Sequence, residues 1–322
     1  MSASIFDQIR TGCAMVAEHA RFVHIAADGI PAYAASLPIE RIMRPEHDAA
    51  THLLGQGDDT VAFFLILDAI NFGSGYFPHL RKRPGMSGYF TVASSLKNYF
   101  VAHGPPSPQT LTRLTVAEMT ALFGQDPTNA PVQELMSLFT KAWHDLGHFV
   151  LDRFDGRYPG VVEAASGSAG QLVRSLRAMS FFDDVAIYDG EQVPLLKRAQ
   201  LLVSDLWIAF DGQGHGAFGD LDQLTIFADN LVPHVLRVDG ILRYEPELQA
   251  RIDAEVLIPA GSPEETELRA CAVHAVELIA AELRRAGHAV NAMQLDNLLW
   301  SSGQQPAYKR SKPRHRTRSV FY

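Results

Sequence analysis

Apolar residues recur three and four positions apart through most of the chain, the spacing of amphipathic helices packed on a core. Over 5–45 this pattern predicts helices broken at Gly29 and Pro31. After a polar break at 55–59 comes the apolar stretch Val61–Phe72, which reads as a buried helix or a strand, since periodicity does not separate the two. A loop rich in Gly, Pro and cations runs from Gly73 to Gly88, and helical patterns resume at 89–103, 115–124 and 131–152. The segment Val185–Val193 reads as a hairpin turning on Asp189-Gly190, a pair suited to the positive φ of a type I′ turn. Beyond it the spacing predicts a helix from about Leu195 to Phe210 and a glycine-punctuated turn from Asp211 to Gly216. A second helix should start near Asp220, with helices through most of 242–300. The expected fold class is mainly α with a small β-hairpin.

Composition narrows the function classes. The chain has 322 residues, 47% hydrophobic and 20% charged, enough for one large domain or two small ones. A formal net charge of −8 argues against a general grip on intact nucleic acid, which needs clustered Lys and Arg, but allows a small anionic ligand held by local cations. The longest apolar run, Val61–Ile70, contains Asp68 and is too short to span a bilayer. Two scattered cysteines, Cys13 and Cys271, fit a reducing compartment, and the first residues lack a signal-peptide pattern. The expectation is a cytoplasmic protein with no membrane partner; oligomeric state is left open. The basic segment Lys309–Tyr322 reads either as a solvated arm or, given its apolar ending Val320-Phe321-Tyr322, as a docked one.

Several chemistries find little support. His144 and His148 share a helix face at i and i+4, yet a third metal ligand must come from elsewhere and Asp145 stands where a zincin has Glu. No Gly-x-Ser-x-Gly elbow occurs, and Gly212–Gly216 lacks the Lys-Ser/Thr ending of a phosphate loop. Carboxylates remain. Asp205 lies in an apolar helical pattern, where a lone acid needs a reason. Asp220 reads as a helix N-cap or a functional acid. Asp229 emerges directly after the apolar run Leu224–Ala228, the kind of wall against which pKa values are tuned.

The segments Leu196–Trp207 (LKRAQLLVSDLW) and Asp220–Leu236 (DLDQLTIFADNLVPHVL) resemble those of the queuosine salvage proteins, the queuosine 5′-phosphate N-glycosidases. So do Leu67–Phe72, Phe154-Asp155-Gly156, Glu267–Cys271 and the ending His315–Tyr322, in the family's order. That family is similar in fold to helix-hairpin-helix DNA glycosylases, whose catalytic Asp is followed by Val at +3, Val-Leu at +6 and +7, and Gly at +11. From Asp229 this chain has Val232, Val235-Leu236 and Gly240. The resemblance implies a single domain over 1–322, helical to about 180 with a glycosylase-like core beyond.

The activity it implies is hydrolysis of the bond between a 7-deazaguanine base and ribose 5-phosphate, with a small-molecule substrate and no cofactor. A fixed carboxylate near C1′ stabilises the oxocarbenium-like charge or orients water. Asp229 is the first choice for that role and Asp220 the second. Phe227 is the expected aromatic face for the base, Asp296 the acid on its edge, and His52 a ligand neighbour. Asn297, Ser301 and Asp68 are expected at the substrate through the same motifs, and Lys197, Arg316, His315 and Arg318 at the phosphate. Two departures fall in the expected grip: Gly73-Ser74-Gly75 replaces aromatic residues after Asn71-Phe72, and Ser301 replaces an acid. The alternatives are a non-catalytic binder of a modified nucleobase and a metal-dependent hydrolase built on His144 and His148.

Overall fold

A computed structural model of the chain describes residues 3–42 and 45–322. The apolar stretch of uncertain type is a helix, Asp58–Ala69, and Thr60 to Ala69 are buried without a break. A helix apolar all round must sit inside the molecule, and this one does, packed by the helices Gly88–His103, Ala130–Phe154 and Lys197–Ala209. Helix starts follow side-chain chemistry: Ser87, Asn129, Ser262 and Asn291 each accept a backbone N–H of the first turn. Among the described residues no helix is long and apolar enough to cross a membrane.

The predicted hairpin forms as Val185–Tyr188 against Glu191–Pro194, with Asp189 at φ 51° and Gly190 at φ 89°. A second two-stranded sheet, Val23–Ile25 antiparallel to Leu242–Tyr244, lies where helices were expected. Three-residue strands carry no readable alternation, and only a partner more than 200 positions away makes them strands. The helix expected to start near Asp220 does not form. A 3₁₀ turn, Leu221–Gln223, leads into an extended buried segment, and the helix begins at Leu231.

That extended segment is pegged by side chains, because among the described residues it has no neighbouring strand to pair with. Gln200 accepts from Thr225 N (2.9 Å) and donates to its Oγ1 (3.0 Å). Asp296 Oδ1 accepts from Phe227 N (2.9 Å), and Arg269 Nε donates to Ala228 O (2.9 Å). Arg269 in turn makes a bidentate pair with Asp184, at 3.0 and 2.6 Å, and lies 4.7 Å from the centroid of the Tyr322 ring. Asp184 also accepts from Lys197 N (3.1 Å), fixing the start of the Lys197–Ala209 helix.

The basic tail is docked. Asn230 Nδ2 donates to His315 O (3.3 Å), Ile258 N to Arg316 O (2.8 Å), Arg198 Nη2 to Val320 O (2.8 Å) and Gly73 N to Tyr322 O (3.0 Å). His315, Thr317, Ser319 and Tyr322 are buried. Gly75 is needed for this passage, since a Cβ there would overlap the Thr317 carbonyl.

Removing one member of a buried ion pair strands the other. Arg269→Met, which leaves Asp184 uncompensated, is expected to lower the unfolding free energy by about 3–5 kcal/mol. Urea denaturation followed by far-UV circular dichroism measures this, and a loss confined to a few tenths would contradict the role given to the pair.

Candidate active site

A cavity of about 1010 Å³ opens between the Lys197–Ala209 helix, the extended segment, the helix Ala292–Gly303, the 73–90 region and the docked tail. Asp229 stands on its wall where the extended segment turns into the helix Leu231–Val238. Its Oδ1 accepts from Leu231 N (2.7 Å) and Val232 N (3.1 Å), so two N–H groups at a helix start fix the carboxylate. Oδ2 takes no hydrogen bond from the described residues, which leaves it available to a ligand.

The floor is acidic. Asp205 and Asp296 line it, Asp68 lies directly behind, and all three are buried. Lys197, 6% exposed, reaches among them and donates to Asn71 O (3.3 Å). One lysine against this set does not neutralise it, so the charged forms are penalised. Burial pushes the Asp205 carboxyl up to about 7, against the pull of Lys197. Burial first, and the Asp229 charge second, hold Asp296 well above the usual carboxylate range. Burial likewise lowers the Lys197 ammonium, although the surrounding carboxylates oppose that shift.

Above the floor stands an aromatic wall. Trp300 meets Tyr89 edge-on at 5.9 Å and Phe90 at 6.0 Å, with Phe227 also lining the cavity. His52 is held by Tyr89 OH (2.8 Å) and lies stacked on Phe64 at 5.8 Å. Burial pushes His52 and its neighbour His47 down to about 4, so both rings are neutral at physiological pH. The mouth has the opposite character: Lys82, Lys309, Lys312 and Arg314 converge there. No carboxylate of the described residues forms a salt bridge with any of the four, and the Lys309 ammonium is lowered by burial and by its cationic neighbours Arg314 and Lys82. Half-buried Arg314 has Asp229 as its opposing charge and Arg316 as a like one.

The cavity brings together Asp229, Phe227, Asp296, Asn297, His52, Lys197, Ser301 and Arg316. Asp220 is elsewhere. It accepts from Ser168 Oγ (2.9 Å), Ala169 N (2.6 Å) and Gly170 N (3.0 Å), capping the helix Ala169–Leu176 some 50 positions upstream. The capping reading was right in kind, but the capped helix is not the one that follows Asp220 in sequence. Asp68 does not line the cavity; it lies behind the floor, where its Oδ1 accepts from Asn71 Nδ2 (3.0 Å). Arg316 lines it while paired with Glu255, Arg318 pairs with Glu134 at 3.0 Å, and His315 is buried outside the lining. His144 Nε2 is engaged by Leu114 O (2.8 Å), and among the described residues no group of three or more His, Cys, Asp or Glu is placed to hold a metal ion.

Sequence reasoning missed Tyr89, Trp300 and the mouth cations as site residues, and noticed Asp205 without placing it there. The tail's charge run was visible, but nothing local distinguishes Arg314 from the other cations around it. The acid Asp205 within an apolar run was a usable signal.

The family model described as "Queuosine salvage protein" matches residues 51–322. A protein of Sphaerobacter thermophilus named queuosine 5′-phosphate N-glycosylase/hydrolase is 39% identical over 316 residues, covering 95% of each chain. Proteins of the same name from Dictyostelium discoideum and Mus musculus are 34% and 27% identical, covering 82% and 97% of this chain and 78% and 98% of their own. On the family match and the identity to the Sphaerobacter protein, this chain belongs to the queuosine salvage protein family.

Proposed function

We propose that the chain hydrolyses the N-glycosidic bond of queuosine 5′-phosphate, or a closely related 7-deazaguanine nucleotide, and releases the free base. The observation that carries this reading is Asp229, anchored on one oxygen at the wall of a cavity whose two ends differ in charge. The base enters the inner end, with its faces against Phe227 and Trp300 and its polar edge toward Asp296. The ribose passes Asp229, and the phosphate stays at the mouth among Arg314, Lys309, Lys312 and Lys82. This assignment moves the phosphate contact away from Lys197, which sits on the acidic floor, and from Arg316, which is paired with Glu255.

The chemistry follows from that placement. As the C1′–N bond lengthens, positive charge grows on the sugar, and the Asp229 carboxylate stabilises it and accepts a proton from the attacking water. Closure of the base in an aromatic, enclosed pocket strengthens this interaction by excluding competing water.

Asp229→Asn retains an oxygen for the Leu231 and Val232 N–H groups, so the helix start survives while the charge is lost. Release of base from queuosine 5′-phosphate, followed chromatographically, is expected to fall on the order of 10³-fold with unchanged thermal unfolding. Equal turnover by mutant and wild type would remove Asp229 from the reaction. A wild type that binds the nucleotide and releases nothing would instead identify a nucleobase-binding protein. For the mouth, a charge-assisted hydrogen bond of about 1.5–3 kcal/mol predicts that Arg314→Ala raises KM for the 5′-phosphate about 10–100-fold. The unphosphorylated nucleoside should be turned over equally by both proteins, and a parallel loss on it would contradict the phosphate assignment.

A further inference from the structure

Asp229 and the cations at the mouth are fastened to one element. The helix Leu231–Val238 starts just after Asp229, and side chains along it hold the main chain of the tail. Asn230 Nδ2 donates to His315 O (3.3 Å), His234 Nε2 to Tyr308 O (2.9 Å) and Arg237 Nη1 to Pro313 O (3.3 Å). Beyond the last turn, Asp239 accepts from Tyr308 OH at 2.9 and 3.1 Å, and from Tyr33 OH at 2.7 Å. The held residues are chain neighbours of the cations: Tyr308 precedes Lys309, and Pro313 separates Lys312 from Arg314. Pro313 has no N–H, and Lys312 before it is extended (φ −150°, ψ 152°). Its carbonyl is therefore the one main-chain hydrogen-bonding group that Pro313 offers the body, and Arg237 takes it.

Stability alone does not account for Arg237. Its side chain is 3% exposed and lies 5.0 Å from the centroid of the Tyr244 ring, with Nη2 donating to Asp253 Oδ1 (2.7 Å). Taking a guanidinium out of water is costly unless its donors are used. Here Nε has no partner among the described residues, and the Asp253 side chain is 41% exposed. What the fork achieves is a fixed geometry. One planar group joins Pro313 to the helix and to Asp253 at once, which a lysine ammonium on a flexible stem does not reproduce. The helix in turn is buried from Leu231 to Arg237 and packs on the helices Pro263–Arg285 and Ala292–Gly303. Its anchors from Asn230 to Arg237 spread over about 10 Å, at about 1.5 Å per residue, and hold that spacing between Asp229 and the mouth.

We propose that Arg237 is a positioning residue for phosphate recognition: by holding Pro313 it sets Arg314 at the mouth, at a fixed distance from Asp229. This rests on the glycosidase reading above and on Arg314 as a phosphate contact. Asp239 does the same for Lys309 through the Tyr308 hydroxyl. A nucleotide whose sugar lies at Asp229 then meets its phosphate cations already in place, so little ordering of long side chains accompanies binding. The unphosphorylated nucleoside gains nothing from this arrangement. Arg237 does not line the cavity, so its effect is confined to how tightly the phosphate end is held.

The test compares KM and kcat for base release from queuosine 5′-phosphate and from the unphosphorylated nucleoside. Arg237→Met keeps the packing on Tyr244 and removes the fork. It is expected to raise KM for the nucleotide about tenfold, with kcat within about threefold and kcat/KM for the nucleoside unchanged. Arg237→Lys should recover part of the loss. Adding Arg237→Met to Arg314→Ala should change KM by less than about threefold, because the one residue acts through the other. An unchanged nucleotide KM, an equal loss on the nucleoside, or full additivity in the double variant would each overturn the proposal. Should Arg237→Met not fold, as judged by circular dichroism, Tyr308→Phe carries the test, since it removes only the hydroxyl held by Asp239. It is expected to raise the nucleotide KM about threefold, and an unchanged KM there overturns the proposal. A wild type that releases no base contradicts the glycosidase reading, and a normal KM in Arg314→Ala contradicts the phosphate contact. A raised KM in Arg314→Ala beside a normal one in Arg237→Met contradicts only the positioning role.

Discussion

The buried pair of Arg269 and Asp184 is the constraint on which the site depends. Two charges removed from water are costly unless nearly every donor and acceptor is used. Here Asp184 takes both terminal nitrogens of Arg269 and the Lys197 backbone N–H, while Arg269 also donates to Ala228 O and lies over Tyr322. Each further contact is a piece of the cavity. Lys197 begins the helix that carries Asp205, Ala228 precedes Asp229, and Tyr322 closes the tail onto the floor. A hydrophobic replacement could fill the same volume, but it would not hold an unpaired extended segment by its carbonyl.

The cavity's own electrostatics run from acid inside to base outside. Four cations clustered at the mouth, three of them exposed, favour an anion there, an attraction that solvent and salt weaken. On the reading proposed above, the cations gather at one end of the cavity only, so they orient the nucleotide with its anionic group at the mouth before any specific hydrogen bond forms. An overall charge of −8 coexists with this because steering depends on where charges converge, not on their sum.

Sequence pattern revealed the parts of this molecule that are determined locally. The hairpin at Asp189-Gly190 and the helices beginning at Ser87 and Asn129 need only near neighbours, and they formed where expected within a few residues. Asp229 was legible for a related reason, as an acid directly after an apolar run. What was illegible depends on distant partners. Asp220 caps a helix that precedes it by 50 positions, Leu224–Asn230 is extended because Gln200, Asp296 and Arg269 hold it, and Val23–Ile25 is a strand because Leu242–Tyr244 lies beside it. Likewise, Asp205 in sequence is an oddity, and only the packing of its helix places it on the cavity floor with Lys197.

The glycines after Phe72 join these threads. At Gly75 the Thr317 carbonyl occupies the space a Cβ would need, and Gly73 donates to Tyr322 O. Main chain from the tail therefore fills the space beside these glycines. The same tail carries Arg314 and Lys312 to the mouth and sets Tyr322 against Arg269. Docking the tail thus completes the buried ion pair and assembles the cationic mouth in one step. A chain with the tail displaced would lose the packing over Arg269 and the grip on an anion together, which links the stability of this region directly to substrate binding.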